Sequence, residues 1–287
     1  MPSVLLATCA AWPDGEPAAP VLDRELADRG IDARWASWDD PDVDWAAADL
    51  VAVRSTWDYV PRHDAFVRWA GEVEAATTML NGADVFAWNV DKAYLAGLVD
   101  LAHRDQGPPV VPTVLAGDRD AIEDAVRRFG SAVVKPRVGA SGVGVVVADR
   151  PDDPRLDGLT AGPWVVQPLV ESVRTEGESS LFVIDGRAVS QVDKLPAGDE
   201  VRVHEEFGGS SRAVPIRAES AELARAGMTV AERVLGVSLD YGRVDMMRLA
   251  DGRLAVSELE LVEPGLYLDV VPENAAPFAD LVAARLG

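Results

Sequence analysis

The order of apolar and polar positions divides the chain into segments of different period. Val4–Ala7 is an unbroken apolar run ending in Thr8-Cys9, which reads as a strand buried on both faces. A helical pattern over 20–30 closed by Gly30 follows, then a short strand Ile31–Ala36 and another apolar run, Leu50–Val53. Strand, helix, strand and strand predict an open parallel α/β sheet at the N-terminus. In such sheets ligands sit beyond the carboxyl ends of the strands. The Thr8 loop and the polar cluster Arg54-Ser55-Thr56-Trp57-Asp58-Tyr59 both fall there.

Further along, Asp91 stands at the cap of a helix running through Lys92 and Leu98 to about Gln106, stopped by Gly107-Pro108-Pro109. Residues 118–128 form another helix. Two β-rich pieces, Ala132–Pro136 and Val143–Ala148, flank a glycine loop, and Trp164–Gln167 is one more strand. The Pro-, Asp- and Gly-rich stretch over 150–163 reads as an exposed link. Ser180–Ile184 and Arg187–Val192 surround Asp185-Gly186, a strong two-residue hairpin signal. Leu223, Gly227, Ala231 and Val234 carry helical spacing through 218–235, closed by Gly236, and a last helix spans 274–286. The pattern predicts an α/β part with its linking helix (1–109), a β-rich central part (110–168) and an antiparallel sheet with helices (169–287), an α/β plus α+β fold class.

Charge narrows the function. Among 287 residues, 27 basic against 48 acidic side chains leave a net charge of −21, which repels phosphate backbones and anionic membrane surfaces. Nucleic acid and membrane are therefore excluded as expected partners. The single Cys9 allows neither an internal disulfide nor a cysteine zinc cluster. There is no apolar run of membrane-spanning length, and the first positive charge, Arg24, comes after the apolar start rather than before it, unlike a signal peptide. A cytoplasmic globular protein is the expectation. Only three of the basic residues are lysines, Lys92, Lys135 and Lys194, which marks them for work needing a compact ammonium rather than a planar fork.

The densest chemistry lies in Tyr241–Leu249 and Leu254–Val262 around Asp251-Gly252. With Asp251-Gly252 as a two-residue turn, Asp245 lies opposite Glu258 and Arg243 opposite Glu260, all on one face. Opposed like charges destabilise a sheet, so three carboxylates against one arginine require a cation. Oxygen donors without His or Cys suit Mg²⁺ or Mn²⁺. The alternative is an exposed acidic face, against which stand the apolar neighbours Val244, Met246, Leu259 and Leu261. Gly139-Ala140-Ser141-Gly142-Val143-Gly144 follows Lys135-Pro136 and has the freedom to cradle phosphate through its N–H groups. It continues into a strand, not a helix, so it is neither a Walker loop nor a Rossmann fingerprint; ordinary hairpin glycines are the alternative. His63, His103 and His204 show no paired spacing, and no base accompanies Ser141 or Cys9.

Together these pieces resemble the ATP-grasp superfamily. The resemblance rests on Asn89-Val90-Asp91-Lys92, Pro112-Thr113, Val133-Val134-Lys135-Pro136 with its glycine loop, Val166-Gln167-Pro168-Leu169-Val170, Gly177-Glu178, Arg243-Val244-Asp245 and Glu258-Leu259-Glu260. Leu6-Ala7-Thr8-Cys9 and Arg54–Tyr59 are similar to a bacterial, glutathione-synthetase-like subgroup that includes the O-ureido-D-serine cyclo-ligase of cycloserine biosynthesis. The resemblance implies that Lys92 and Lys135 hold ATP phosphates, that Gly139, Ser141, Gly142 and Gly144 form a mobile lid, that Gln167, Leu169 and Val170 bind adenine, and that Glu178 binds the ribose. It implies Asp245, Glu258 and Glu260 as metal ligands, although many relatives carry Asn at the last position. Arg243, Lys194 and Arg202 would face the reacting groups, and Gly208-Gly209 would form another loop over the substrate. From its residue types, the Arg54, Ser55, Thr56, Asp58 cluster suits a small zwitterion, Arg54 for a carboxylate and Asp58 for an ammonium. The alternative is that Arg54 and Asp58 pair with each other. The implied activity is an ATP- and Mg²⁺- (or Mn²⁺-) dependent carboxylate–amine ligase working through an acyl phosphate on a small amino-acid-like substrate. The competing readings are a phosphotransferase and a silent nucleotide-binding regulator. A homodimer is left open.

Overall fold

The strand β1 (Ser3–Thr8) is the centre of the N-terminal sheet, and its neighbours explain its apolar run. After α1 (Pro20–Asp28), β2 (Asp32–Ser37) pairs with it in parallel on one side, and β3 (Leu50–Ser55) does so on the other. Helix α2 (His63–Glu74) leads to the two-residue β4 (Thr78–Met79), completing the order β2-β1-β3-β4. This is the open parallel sheet the hydrophobic pattern predicts. The computed structural model describes residues 1–159 and 162–287, so the link read over 150–163 falls at 160–161 outside the described residues.

Helices α3 (Ala83–Asn89) and α4 (Tyr94–His103) connect to a small antiparallel sheet. Its elements are β5 (Val114–Ala116), α5 (Arg119–Phe129), β6 (Ala132–Pro136), β7 (Val146–Ala148) and β8 (Trp164–Pro168), with strand order β5-β8-β6-β7. Asp118 caps α5 by accepting from the Ala121 N–H at 2.9 Å. The third sheet is antiparallel, in the order β11-β10-β9-β12-β13. It comprises β9 (Glu178–Ile184), β10 (Arg187–Leu195), β11 (Ser210–Val214), β12 (Tyr241–Arg248) and β13 (Leu254–Glu260). Helix α6 (Ala218–Leu235) precedes β12 and α7 (Ala275–Arg285) ends the fold. Asp185 and Gly186 both take positive φ, 50° and 69°, the mirror-image turn that matches strand twist between β9 and β10.

Packing crosses the boundaries drawn from composition. One apolar cluster joins Phe66 of α2, Phe86 of α3, Leu95 and Leu98 of α4, Val244 and Leu259 of β12–β13, and Ala224 and Met228 of α6. Asn89 clasps the Leu259 carbonyl and the Leu261 N–H, at 2.9 and 2.8 Å, which stitches α3 to β13. The segment at 109–111 adds to the edge of the third sheet through Val111 N–H to Val256 O and Val256 N–H to Pro109 O, both 2.9 Å. A second cluster packs α7 (Phe278, Leu281) against α1 (Leu22, Leu26) and the Leu6–Leu50 face of the first sheet. The chain's C-terminal helix therefore returns to its N-terminal sheet.

The β12–β13 hairpin differs from its predicted form at the turn. Leu249 N–H donates to Arg253 O at 2.8 Å, so the loop is Ala250–Gly252, one residue longer than expected, with Gly252 at φ 84°. Near the turn Arg248 pairs with Leu254 and Met246 with Val256. A bulge at Ser257 then takes up one residue, and beyond it Asp245 faces Glu258 and Arg243 faces Glu260. The expected cross-strand pairs form through two deviations that cancel.

Candidate active site

The site is built on the face shared by β9, β10, β12 and β13. Asp245, buried, is gripped by Arg243 at 2.9 Å to each oxygen, by the Ser180 hydroxyl at 2.6 Å and by Lys194 Nζ at 3.4 Å. Register explains the serine: Ser180 of β9 is the cross-strand partner of Asp245. Lys194 also pairs with Glu178 at 2.6 Å, and the Ser257 hydroxyl on the bulge donates to Glu178 at 3.1 Å. Gly177 makes the approach possible, since a Cβ there would lie 2.0 Å from the Lys194 carbonyl oxygen. Arg243 pairs with Glu260 as well, and its guanidinium lies over the Tyr267 ring.

Charge is distributed unevenly among these carboxylates. Burial alone would raise the Asp245 pKa, but Arg243 and Lys194 hold it well below the usual range. Burial acts on Glu258 in the same sense, and Lys92 and Lys135 more than reverse it. Glu260 is pushed up to about 7 by burial and by its acidic neighbours, despite Arg243. Glu263, just past β13, is pushed up to about 8 by burial and by Glu260. Asp245, Glu178, Glu258 and Glu260 each pair with a protein cation, and Glu263 has no such partner among the described residues. Each proposed metal ligand already leans on a protein cation, Glu258 on Lys92, Asp245 on Lys194 and Arg243, and Glu260 on the same Arg243. Among the described residues no set of three acidic, His or Cys side chains converges on a metal position.

The three lysines divide their work. Lys92 Nζ bonds Glu258 at 2.9 Å and the Gly139 carbonyl at 2.6 Å, while its backbone N–H donates to Arg137 O at 2.8 Å. Arg137 in turn forks onto Asp91. These contacts dock the start of the glycine loop against the α4 entrance. Lys194 is enclosed by carboxylates. Lys135, at the end of β6, makes no ion pair among the described residues, although its charge reaches Glu258. In the loop itself Ser141, Gly142 and Gly144 all have positive φ, 52°, 68° and 74°. Gly142 lies against Arg202 and Phe207, where an added Cβ would come within 3.3 Å of both. Arg202 stacks on Phe207 at 3.5 Å and pairs with Glu200, so it reaches the lid rather than Asp245. Gly208 has φ 82°, and Gly209 leaves no space for a side chain, since a Cβ there would lie 2.1 Å from the Val203 carbonyl oxygen.

On the other side of the cleft, Gln167 of β8 is buried and donates to the Thr113 hydroxyl at 2.9 Å. Leu169 N–H is taken by the Ser131 carbonyl at 2.9 Å, and Val170 is buried. Glu178 belongs to the Lys194 cluster, joined through Lys194 to Asp245 rather than set apart from the hairpin carboxylates.

The Arg54–Tyr59 loop is organised differently from its expected form. Arg54 is 0% exposed. Its guanidinium bonds Glu16 through Nε and NH2 at 3.2 and 2.9 Å, donates to the Pro264 carbonyl at 2.8 Å and lies 4.7 Å over the Phe278 ring. It has no reach to a substrate carboxylate, and the expected role is corrected: Arg54 locks the N-terminal sheet to the segment after β13. Glu16 completes the lock by accepting from Leu266 N–H at 2.6 Å. Asp58 pairs with neither a ligand site nor Arg54; it accepts from Trp38 Nε1 at 2.8 Å and pairs with Arg62 at 3.1 Å. Ser55 bonds the Thr8 hydroxyl at 2.7 Å. The Thr56 hydroxyl is buried without a partner among the described residues. The sequence pattern gives no sign of the facing pair, Tyr59 and Glu263. The Tyr59 phenol is buried and stacked on Phe66 at 4.6 Å, and burial together with the nearby Glu263 carboxyl pushes its pKa up. No spacing rule links residues so far apart in the chain.

A family model for the N-terminal domain of D-cycloserine synthetase DcsG matches residues 4–81, and one for the ATP-grasp domain of prokaryotic glutathione synthetase matches residues 104–237. The cycloserine biosynthesis protein DcsG of Streptomyces lavendulae is 34% identical over 281 residues, covering 90% of each chain. The chain belongs to the DcsG-like ATP-grasp ligases. Consistent with that membership, the crystal structure of D-cycloserine synthetase DcsG matches 99% of this chain and 100% of its own, with a TM-score of 0.86 and 28% identity. The glutathione synthetase of Rhodopseudomonas palustris is 23% identical, over 85% of this chain and 75% of its own. D-Alanine–D-alanine ligase from Bacillus anthracis shares the fold at 16% identity, over 100% of this chain and 97% of its own, with a TM-score of 0.68. In this DcsG-like ligase no helix is long and apolar enough to cross a membrane among the described residues.

Proposed function

We propose that this ligase activates the carboxylate of a small amino acid with ATP and closes a C–N bond within the same molecule, acting on O-ureido-D-serine or a close analogue. The observation that carries this reading is Lys135: a lysine without an ion partner among the described residues, beside Glu258, at the mouth of a glycine loop. An ammonium held there with its charge unspent is suited to phosphate. The 34% identity to the S. lavendulae cycloserine protein along nearly the whole chain supports the substrate class.

In this reading Lys92 and Lys135 bind the ATP phosphates, and the Gly139–Gly144 loop closes over them. Gln167, Leu169 and Val170 offer the adenine edge, and Glu178 the ribose contact. Asp245, Glu258 and Glu260 are oxygen donors from one face of the hairpin, and to hold a divalent cation they would have to turn from the lysines and arginine they now pair with. Mg²⁺ or Mn²⁺, when bound, would neutralise charge on the transferring phosphoryl group. The substrate carboxylate attacks the γ-phosphorus, ADP leaves, and a nitrogen then displaces phosphate from the acyl phosphate. Arg243, on the same face as Asp245 and Glu260, would be the donor to the oxyanion of that second step. Lys194 keeps Asp245 and Glu178 charged and aligned. The closed lid, with Arg202 and the Gly208-Gly209 loop against it, excludes water from the acyl phosphate.

The test is to incubate the enzyme with ATP, Mg²⁺ and O-ureido-D-serine and follow products by mass spectrometry. ADP, phosphate and a cyclised product are expected. A stable phosphorylated product would assign a phosphotransferase, and absence of ADP release would leave only nucleotide binding.

A further inference from the structure

We infer that Glu263, presented by the segment after β13 and backed by the Tyr59 phenol, is the anchor for the α-ammonium group of the substrate. The inference rests on the amino-acid reading above and assigns the position that Asp58 was expected to fill.

The argument is one of unmet charge. Every other carboxylate of the site has its cation: Asp245 has Arg243 and Lys194, Glu178 has Lys194, Glu258 has Lys92, and Glu260 has Arg243. Glu263 has none among the described residues. Lys92 is nearby but already held by Glu258 and the Gly139 carbonyl. A half-buried carboxylate without a counter-charge is costly, and a ligand cation is the natural compensation. Glu263 is half-buried, three residues beyond Glu260 at the end of the hairpin, so part of it remains accessible to a ligand.

Its placement is also held unusually firmly. Trp57 Nε1 donates to the Glu263 carbonyl at 3.1 Å, Arg54 to the Pro264 carbonyl at 2.8 Å, and Leu266 N–H to Glu16 at 2.6 Å. All three contacts come from the N-terminal sheet, from the end of β3 and the loops after β1 and β3. Asn274 holds the same segment from below, donating to Leu266 O at 2.7 Å. Tyr267 adopts a left-handed φ of 54°, a costly conformation for a bulky side chain, and its ring packs beside Arg243. A segment fixed at four points and strained at a fifth is suited to fix one side chain in the cleft. Tyr59 completes the geometry. Its ring is stacked on Phe66 at 4.6 Å, and in this inference its phenol, near the Glu263 carboxyl, helps to position it.

The test compares amino acids with their 2-hydroxy counterparts, in which a hydroxyl replaces the ammonium. ADP release is measured for wild type, Glu263→Gln and Tyr59→Phe over a panel of D- and L-amino acids, O-ureido-D-serine included, each paired with its hydroxy acid. Wild type should prefer the amino acid. Glu263→Gln should raise its KM by about 100-fold, leave the KM for ATP and the melting temperature nearly unchanged, and collapse the preference. Tyr59→Phe should give a smaller loss in the same direction. Wild type accepting hydroxy acids equally well, or Glu263→Gln keeping the preference, would overturn the assignment. Turnover of a different amino acid but not O-ureido-D-serine would remove the proposed substrate and leave Glu263 standing. No ADP release from any amino acid would remove both.

Discussion

The β12–β13 hairpin and the loop after β3 are both short, charge-rich segments, and both read as binding surfaces in the sequence. They turn out opposite in character. The hairpin sends Arg243, Asp245, Glu258 and Glu260 to one face and groups them with Lys92 and Lys194. The end of β3 sends the Arg54 guanidinium into the core, and the loop after it sends the Asp58 carboxylate to Trp38 and Arg62. In a strand, direction follows from a period of two, so a correct partner implies a correct face. In a loop nothing sets direction except the surrounding structure. Even so, Arg54 carried a signal: it is in phase with Leu50 and Ala52, the side of β3 packed against α1 and α7. Its partner, Glu16, lies in the loop after β1, out of reach of any local pattern.

The sharpest way to break this contrast is to remove charge from the phosphate side. Lys135→Ala should lower ADP release by at least about 1000-fold and weaken ATP binding, since a preorganised charge aimed at the reacting group is lost. Lys135→Arg should fail too, because a planar fork does not replace a compact ammonium. Unchanged nucleotide affinity and rate would return Lys135 to an ordinary strand-end role. Next in size, Glu258→Gln should cost about 100-fold in activity with the fold retained, as one metal ligand is neutralised and a buried repulsion relieved. Full activity of the wild type in excess chelator would defeat the cation reading of the hairpin.

The loop should respond in stability rather than chemistry. Arg54→Ala leaves Glu16 buried and unpaired, which should cost about 3–5 kcal/mol and lower the melting temperature by about 10 °C. Calorimetry of Arg54→Ala, Glu16→Ala and the double variant should show strong non-additivity, because each single change orphans the other group. A selective rise in KM for the amino acid with stability intact would instead restore Arg54 as a substrate ligand. The smallest effect is expected at Asp58→Asn. Its partner Arg62 is largely solvent-exposed, so the loss should be about 1 kcal/mol or less, with no change in KM for the amino-acid substrate in steady-state assays.

Element by element, the sequence went far. The apolar runs of β1 and β3, the Gly30 and Gly236 stops, the Asp118 cap and the Asp185-Gly186 turn each state a local physical preference that the fold keeps. The hairpin shows where such reading reaches its edge. The turn chemistry pointed to two residues, the chain used three, and a bulge at Ser257 restored the pairing. Only packing enforces that correction: Val244, Leu259 and Leu261 must face the α4–α6 side, and any register that leaves them outside loses their burial.

The sequence by itself determined the residue types, the rare lysines, the acidic surplus and the alternation that sets three carboxylates on one face. The tertiary structure decided which charges neutralise one another and which are left for a ligand. Arg54 lies 38 residues from Glu16, and Lys92 is far removed from Glu258 along the chain, yet each pair is in contact. Whether a guanidinium serves as a structural lock or a substrate clamp depends on where its counter-charge comes to rest. Coulomb energy and desolvation depend on distance in space and on burial, and neither is written in the spacing of residues along the chain.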